Sequence, residues 1–464
     1  MDGIETITPR PEAQDAEDAV SREVLVLRRI AASAGEPLRA ASVDGSLARL
    51  NLGRAALGEI QPAGAAWRDA ETGGLALSGA VLDEAGLEAC DLSGANLRRA
   101  SLKGAMARSA RLDGAVIEEA DFSAADLSGA GFSKVAGGQA RFEEAMLEDA
   151  GFEGATLRFA TFRRALLDGA RFADADLWGA DFTGADADYT VFRGARLDEA
   201  KLSDVNLTHA DFEGASLKKV KLNRSRLSGA NLNGVRLDGA DLSGADLSGT
   251  SLVRLDLQSC TLTHARFAGA WLDGTRMRPE QLGGAVGEER AHDFEAAQES
   301  YRALERNFKS IGSHEAASWA YKRGRHMGRR HAGAQAKAAL RARDGRGFAQ
   351  HAYRWAADRF VEWLCDYGES LSRIARTFAL GILAFAALYG LAGGLLLERF
   401  GNAPTYNPID LVSYSALNML TANPPEIGIK PVGRVTNLLV GIQGATGIVL
   451  MGLFGFVLGN RLRR

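Results

Sequence analysis

The chain repeats one hydrophobic position every five residues over two hundred residues. Of the forty positions at this spacing from Leu77 to Leu272, thirty-seven are Leu, Ile or Phe, and the exceptions are Ala107, Gly137 and Ala187. A second row of small apolar residues, mostly Ala, lies two positions earlier in each unit. The period matches neither the 3.6 residues of an α-helix nor the two of a strand. It is an internal repeat, and it predicts a solenoid.

Two inward positions in every five, one large and one small, suit a chain that turns a corner after each unit. Four such sides make a square coil of about twenty residues, and stacked coils place large side chains over large ones at about the 4.8 Å spacing of adjacent strands. The narrow interior leaves no space for a second large side chain in each unit. We therefore expect an all-β rod.

Triplets of Ala, then Asp or Asn, then Leu recur in this segment, and they resemble the motif of the pentapeptide-repeat family. The resemblance implies a right-handed quadrilateral β-helix, which we expect over residues 38–282. A helical pattern near the N-terminus predicts a cap over residues 1–37 for the open end of the solenoid. The triplets are Ala95-Asn96-Leu97, Ala125-Asp126-Leu127, Ala230-Asn231-Leu232, Ala240-Asp241-Leu242 and Ala245-Asp246-Leu247.

Charge and cysteine usage divide the chain. Residues 76–275 carry 30 acidic and 22 basic residues, whereas residues 276–464 carry 16 and 25, so the two parts have net charges of −8 and +9. This asymmetry indicates different surroundings for the two parts. Cys90 and Cys260 fall in the row of small residues and Cys365 lies far away, which predicts free thiols in a reducing compartment.

Two long uncharged apolar stretches follow near the C-terminus. Both exceed the length that crosses a hydrocarbon core of about 30 Å, and they predict transmembrane helices over 377–397 and 435–459. Eleven arginines lie between positions 323 and 376 and three after position 460, whereas the connecting segment is poor in basic residues. The positive-inside rule then places both termini and the rod in the cytoplasm. The first eleven residues lack the apolar core of a secretory signal, so we expect a multi-pass protein of a bacterial inner membrane.

The segment between these stretches is too apolar for an exposed loop. Asn407 and Pro408 are typical of a helix start, as N-cap and first-turn residue. The apolar run 409–420 that follows is too short to span a bilayer, and an irregular segment comes after it. Since irregular backbone at membrane depth is tolerated only inside protein or along water, the pattern predicts a pore helix and a re-entrant loop over 407–430.

Residues 370–464 resemble the two-transmembrane pore module of the potassium-channel superfamily. The shared order is an outer helix, a pore helix ending near Thr421, a filter loop, the element Pro431-Val432-Gly433-Arg434 and a glycine-containing inner helix. The family's Thr-Val-Gly-Tyr-Gly-Asp filter is replaced here by Thr-Ala-Asn-Pro-Pro-Glu at 421–426. Two consecutive prolines do not reproduce the backbone of that filter, so the sequence predicts a channel without the potassium signature.

The candidate pore residues lie in and next to this loop. A ring of Asn423 or Glu426 around a symmetric pore favours cations, whereas the alternative is that Glu426 faces solvent at the outer mouth. Glycines of the second apolar stretch serve either helix packing or bending. The pore candidates are Thr421, Ala422, Asn423, Glu426 and Gly428. The packing or hinge candidates are Gly441, Gly444, Gly447 and Gly452.

A cytoplasmic helical linker is expected over residues 291–368. Its first helix carries an apolar seam that suits either coiled-coil assembly or docking against the rod. The basic run 322–331 binds an anionic lipid, nucleic acid or effector in one interpretation and is merely solvated in the other. The seam consists of Phe294, Ala297, Tyr301, Leu304, Phe308 and Ile311. Aromatic residues suited to a membrane-interface belt are Trp355, Trp363 and Tyr367.

The residues carry no signature of an enzyme, a metal site or a cofactor site. The favoured function is an oligomeric ion channel, a tetramer by resemblance, with the rod as sensor, regulator or tether. Its partners would be membrane lipid, further copies of the chain, a permeant cation and a cytoplasmic protein on the rod. One alternative is a non-conducting membrane-anchored scaffold for protein interactions. A less favoured one is a DNA-mimic topoisomerase inhibitor, and we expect no binding of nucleic acid itself.

Overall fold

The computed structural model describes residues 76–398, 403–421 and 428–462. The chain divides into two compact units, Met1–Ala317 and Ser318–Arg464. The helix expected over 1–37 and the start of the rod expected over 38–75 lie outside the described residues. Each unit is described by itself below.

The five-residue units of the first unit form coils of twenty residues. Parallel bridges join residues twenty positions apart, from Ala76 with Asn96 to Asp256 with Arg276. Between neighbouring coils, the amide of Leu77 donates to the carbonyl of Asn96 at 2.8 Å, and the same pattern recurs along the rod. Four units per coil confirm the predicted β-helical solenoid.

Phenylalanine fills two opposite sides of the rod's interior. Rings twenty residues apart stack with centroids 4.6–5.2 Å apart. Rings ten residues apart lie on opposite sides and meet edge to face, 5.5–5.9 Å apart. Each of these rings except Phe212 therefore has both of the arrangements that aromatic pairs favour, whereas Phe212 has only the stacked one. The rings are Phe122, Phe142, Phe162 and Phe182 on one side, and Phe132, Phe152, Phe172, Phe192 and Phe212 on the other.

The exceptions to the large-residue row do not interrupt the solenoid. Gly137 keeps the inter-coil hydrogen bond, from its amide to the carbonyl of Thr156 at 2.8 Å. A Cβ atom on Gly137 would lie 2.7 Å from Leu157 Cδ2 and 2.8 Å from Ile117 Cγ1, so the residues above and below already fill its place. A small residue at this position is a consequence of packing between coils.

The Asp or Asn that precedes the large residue has a local role. Asp121 Oδ1 accepts a hydrogen bond from the amide of Ser123 at 3.0 Å, and Asp241 Oδ1 accepts one from Ser243 at 3.0 Å. These Asx turns satisfy the amide at the corner that follows. The polar residue of the triplet is thus explained by the turn.

The described cysteines are all free and buried. Cys260 Sγ donates to the carbonyl of Leu237 at 3.0 Å inside the rod. Burial raises the pKa of the Cys260 thiol to about 11, so it is an unreactive thiol. The predicted role of Cys90 and Cys260 as compact interior residues is confirmed.

The C-terminal end of the rod is closed by three short elements. They are a 3₁₀ helix at Pro279–Leu282, helix α1 at Gly287–Arg290 and helix α2 at Phe294–Ser310. Glu288 Oε1 accepts hydrogen bonds from the amides of Phe267 and Ala268 at 2.8 and 2.9 Å, and from Ser300 Oγ at 2.6 Å. This carboxyl group replaces the carbonyls that a further coil would supply.

Helix α2 uses its predicted apolar seam against the rod. Four seam residues are buried: Ala297, Tyr301, Leu304 and Phe308. Its Asn307 also forms a reciprocal pair with Thr275, whose amide donates to Asn307 Oδ1 at 3.0 Å and whose carbonyl accepts from Asn307 Nδ2 at 3.0 Å. The sequence left two uses of this seam open, coiled-coil assembly and docking against the rod. The structure shows docking against the rod.

The second unit is helical, with one small sheet. Its helices are α3 at His314–Arg341, which begins in the first unit, α4 at Gly345–Cys365, α5 at Leu371–Ala392, α6 at Pro408–Thr421 and α7 at Arg434–Leu462, with a 3₁₀ turn at Asp366–Gly368. The strands are β1 at Leu395–Leu397, β2 at Ala403–Pro404 and β3 at Ile429–Pro431. They form an antiparallel sheet in the order β2-β1-β3.

Two of these helices, α5 and α7, are long and apolar enough to cross a membrane. Helix α5 begins earlier than the predicted span 377–397, because Ser370 caps it by accepting a hydrogen bond from the amide of Arg373. It also ends earlier, at Gly393, whose φ of 60° is left-handed. The apolar residues Leu395–Leu397 are therefore strand β1, which corrects the predicted end of the span.

We expect Gly137→Leu to destabilise the rod, because no free volume separates Ile117 from Leu157 at that position. Overpacking of a filled core costs about 1–3 kcal/mol. Thermal unfolding followed by circular dichroism should show a lower midpoint. Ala136→Leu is the matched control, since Ala136 lies at the partly exposed neighbouring position. Equal midpoints for both variants would contradict this account of Gly137.

We also expect Glu288→Ala to loosen the rod's C-terminal end, because it leaves the amides of Phe267 and Ala268 without an acceptor. A buried polar group left unsatisfied costs about 1–3 kcal/mol. Hydrogen exchange at these two amides should rise. Glu288→Gln retains an acceptor oxygen and should protect them nearly as well, and equal exchange in all three proteins would refute the capping role.

The Glu288 carboxyl also gives a pH dependence with a definite sign. Burial of the carboxyl raises its pKa above the ordinary value. Hydrogen bonds from Ser300 and the rod amides lower the pKa, but burial has the larger effect. Between the unfolded and folded pKa values the folded protein holds a proton that the unfolded chain has released, so this contribution to stability falls as pH rises through that interval. The unfolding midpoint of wild type should therefore fall relative to that of Glu288→Gln across it.

Candidate functional site

The short helix α6 lies against both long apolar helices, α5 and α7. It has fourteen residues, which gives a length of about 21 Å and is less than the roughly 30 Å of a hydrocarbon core. Leu411, Tyr414, Ser415, Asn418 and Met419 are buried. The predicted short helix within 407–430 is therefore present, and it packs one face against its neighbours, whereas Ile409 and Leu420 are exposed.

A buried polar network joins these three helices, with Gln443 of α7 at its centre. Gln443 Oε1 accepts hydrogen bonds from the hydroxyl of Tyr389 in α5 at 2.6 Å and from Asn418 Nδ2 in α6 at 3.0 Å. Gln443 Nε2 donates to the carbonyl and the hydroxyl of Ser415 at 2.9 and 2.6 Å. All four side chains are fully buried.

The network continues into the backbone of both long helices. Ser415 Oγ donates to the carbonyl of Ile382 in α5 at 2.8 Å, and Asn418 Nδ2 also contacts the carbonyl of Val440 in α7 at 3.2 Å. Polar groups in apolar surroundings are costly unless they are paired, so these bonds fix one depth and rotation of α6. Among the described residues, Tyr414 OH and Asn418 Oδ1 are buried without a hydrogen-bond partner.

The sequence reasoning did not identify Tyr389, Ser415, Asn418 or Gln443. A signal was available, because an amide side chain such as Gln443 in a long uncharged apolar helix marks a buried or functional position. What the sequence does not contain is the pairing, since three separate segments supply its members.

The glycines of α7 divide into two groups. Gly447 touches α6 so closely that a Cβ atom would lie 2.0 Å from the carbonyl oxygen of Met419, and Gly444 is also buried. Gly441 and Gly452 are exposed, and no described atom would lie within 4 Å of a Cβ on either. Packing within this unit therefore accounts for Gly447 and not for Gly441 or Gly452.

Two of the five predicted pore residues are described. Thr421 is the last residue of α6, and its hydroxyl donates to the carbonyl of Leu417 at 2.7 Å. Gly428 has a left-handed φ of 76°, and its carbonyl accepts from the amide of Glu398 at 3.0 Å beside the small sheet. Ala422, Asn423 and Glu426 lie outside the described residues, so their predicted roles stay predictions.

The basic run 322–331 pairs with acidic residues of the segment 358–366. Arg325 binds Asp358, Arg329 binds Glu362, and Lys322 lies 3.1 Å from Asp366. Arg329 is only 8% exposed. At these three positions the run is therefore an internal ion-pair network, which is neither of the two interpretations that the sequence offered. Asp358 and Glu362 are four residues apart on one face of α4, and Asp366 is the residue that caps the C-terminus of this helix.

Tyr367 belongs to the same network. Its hydroxyl donates to Asp358 Oδ2 at 3.0 Å, and the guanidinium of Arg325 lies 5.3 Å from the centre of its ring. Burial, followed by the charge of Asp358, raises the pKa of Tyr367. Its predicted place in a membrane-interface belt is wrong, because the side chain is buried. Trp355 and Trp363 are exposed, as that prediction requires.

Models of known families match the rod. A pentapeptide repeat region matches residues 155–232, and a model of pentapeptide repeats in 8 copies matches 76–113, 108–135 and 240–278. The chain thus contains a pentapeptide-repeat region, as the triplets predicted. The comparison with curated proteins finds no match.

Solved structures similar to this chain include pentapeptide repeat proteins. HetL of the cyanobacterium Nostoc sp. strain PCC 7120, involved in heterocyst differentiation regulation, is 28% identical over 46% of this chain and 89% of its own, with a TM-score of 0.25. QnrB1, a plasmid-mediated fluoroquinolone resistance protein, is 22% identical over 38% of this chain and 87% of its own, with a TM-score of 0.18. A protein of the Arabidopsis thaliana thylakoid lumen is 29% identical over 27% and 66%, with a TM-score of 0.12.

The contrast between Gly447 and Gly452 provides a test of the packing around α6. Gly447→Ala should destabilise the detergent-solubilised protein, because its methyl group meets backbone atoms of Met419 that no side-chain rotation can move. Gly452→Ala should be neutral or stabilising, since Ala favours helix over Gly by about 0.8–1.0 kcal/mol. The measurement is the midpoint of thermal unfolding. A drop in both variants, or in neither, would rule out close packing at Gly447.

Proposed function

We propose that this pentapeptide-repeat protein is an oligomeric ion channel of a cell membrane, with its rod acting as cytoplasmic sensor, regulator or tether. The observation that carries the proposal is helix α6, which is too short to span and is held between two helices that are long enough. In this reading α5 and α7 cross the bilayer, and α6 enters it only in part. The re-entrant loop predicted over 407–430 is part of this proposal.

The physical argument concerns the backbone after α6. Irregular backbone at membrane depth needs partners from protein or water, because lipid supplies none. The buried network around Gln443 supports such a position for α6, since it locks the helix between its neighbours at a fixed depth. Several copies of the chain around one axis would surround the predicted loop with protein and water. The resemblance to the two-transmembrane pore module makes a tetramer the expected assembly.

The outer surfaces of α5 and α7 suit lipid and further copies of the chain. Large apolar side chains are exposed along both helices, as expected for a surface that water does not cover. The positive-inside rule places both termini in the cytoplasm. The exposed apolar side chains include Leu380, Leu383, Leu388 and Leu391 on α5, and Leu438, Ile448, Val449 and Phe456 on α7.

A non-conducting scaffold is the second candidate, because the rod also exposes large apolar side chains. Phe159, Tyr189 and Trp271 are exposed on its surface, where they are available to a protein partner. In this case α5 and α7 only anchor the rod. A DNA mimic has less support, since basic residues are interleaved with acidic ones along the rod, as where Arg224 pairs with Asp204 at 2.6 Å.

Ion flux into liposomes containing the purified protein distinguishes the channel from the scaffold. We expect cation flux above that of protein-free liposomes. Background flux from protein that is assembled and correctly oriented would exclude the channel and leave the scaffold.

Glu426→Gln tests the predicted contribution of the loop. Because Glu426 is the only acidic residue in 421–428, its neutralisation should reduce the preference for cations over anions, measured as a shift in reversal potential. Glu398→Gln is the matched control, since Glu398 lies in the same connecting segment but pairs with Lys430. An unchanged preference in Glu426→Gln would place Glu426 away from the ion path.

A further inference from the structure

Helix α4 has two faces of different chemistry. One face bears Asp358, Glu362 and Cys365, which pack toward α3 and α5 through the ion pairs with Arg325 and Arg329 and through burial of the thiol. The acidic side chains of the helix are thus neutralised on this inward face. The opposite face therefore determines what else the helix contacts.

The outward face consists of aromatic and alanine side chains. Its members recur at spacings of one, three and four residues, as on one side of a helix. Tyr353, Phe360 and Trp363 are 75%, 58% and 44% exposed. Arg376 of α5 lies over the ring of Trp363, and most of the remaining stripe is exposed. In chain order the stripe comprises Ala349, Ala352, Tyr353, Ala356, Phe360 and Trp363.

The surroundings of this stripe are strongly basic. Helices α3 and α4, with the turn between them, carry eleven Lys and Arg against four Asp and Glu, a net charge of +7. Arg346 lies two turns before Tyr353 at the border of the stripe, is exposed, and forms no ion pair among the described residues. Exposed aromatic rings beside arginines complement a surface that is negatively charged and has an apolar layer beneath.

Helix α4 is also fixed to the start of the first long apolar helix. The guanidinium of Arg376 in α5 donates to the carbonyl of Trp363 at 2.8 Å and lies 5.5 Å from the centre of its ring. Thr377 Oγ1 donates to the carbonyl of Leu364 at 3.2 Å. Only residues 366–370 separate the two helices. The aromatic stripe is therefore held beside the first turns of α5.

From these observations we infer that α4 lies on the membrane surface, with the stripe from Ala349 to Trp363 in the headgroup layer of anionic lipids. The aromatic rings reach the boundary of the acyl chains, and Arg346 binds a lipid phosphate. The inference rests on the proposed membrane location of α5 and is independent of conduction. It assigns the outward face of α4 to lipid instead of to a second copy of the chain.

The test uses the full chain in phosphatidylcholine vesicles with and without phosphatidylglycerol. Ala356→Cys places a fluorescent label in the stripe, and Asn233→Cys places one on the exposed surface of the rod as the control. The three native cysteines are buried. The label is quenched by lipids that carry a nitroxide at the headgroup and, in separate samples, by aqueous iodide.

We expect the nitroxide lipid to quench the label at position 356, more strongly when phosphatidylglycerol is present, and to leave the label at 233 unaffected. Aqueous iodide should quench the label at 233 more strongly than the label at 356. Iodide access at 356 equal to that at 233 overturns the inference. Shielding from both quenchers, with cross-linking between copies through position 356, assigns the face to a second copy and also overturns it.

Two sets of variants separate the aromatic and the basic contributions. Tyr353→Ser with Phe360→Ser should abolish lipid quenching at position 356, whereas the control Tyr189→Ser with Trp271→Ser changes exposed rings of the rod and should not. Arg346→Gln should weaken the dependence on phosphatidylglycerol. Its control is Arg226→Gln on the rod. Full quenching in every variant contradicts the inference.

One further label distinguishes this inference from the proposed function. Leu383→Cys places a label on the exposed side of α5. Lipid quenching at 383 without quenching at 356 defeats the inference and leaves the membrane location of α5 intact. The absence of lipid quenching at both positions defeats the proposed membrane protein. Lipid quenching at both positions without ion flux supports the inference and defeats only the channel.

Discussion

The backbone hydrogen bond between coils is the constraint on which the rod depends. Every amide and carbonyl of the rod must find a partner. Most partners lie about twenty residues away in a neighbouring coil, whereas one amide in each unit closes the corner locally, as Ala105 does with Leu102. A fixed coil length then stacks equivalent positions, so a phenylalanine lies over a phenylalanine and an alanine over an alanine. The interior follows from this stacking, including Gly137, whose space belongs to Ile117 and Leu157.

The same requirement explains the ends of elements in both units. At the last coil no further chain supplies carbonyls, and the side chains of Glu288 and Asn307 take their place. In the helical unit Gln443 satisfies polar groups of α5 and α6 that would otherwise be buried without partners. In each case one side chain completes hydrogen bonding that regular structure leaves open. Such residues specify how two elements fit together.

How much of the structure could be predicted from the sequence depends on whether an interaction is local or joins distant segments of the chain. The five-residue register is repeated in every unit and could be read without knowing any contact. The apolar run ending in Leu395–Leu397 contains no period that separates helix from strand, so the end of the first span was placed too late. The ion pairs of Arg325 and Arg329, and the network around Gln443, depend on how separate helices cross. No local pattern contains that information.

The distribution of charge in the second unit divides its helices into two groups with different outer surfaces. Asp358 and Glu362 form ion pairs with Arg325 and Arg329. The outer surface of α3 and α4 is therefore positive. The polar groups of α5, α6 and α7 instead form hydrogen bonds with one another around Gln443, and the outer surface of these helices is apolar. A basic, aromatic surface that continues into an apolar one follows the order of chemistry from a headgroup layer to a hydrocarbon core. This order favours a membrane protein over a soluble helical unit more strongly than the length of any single helix does.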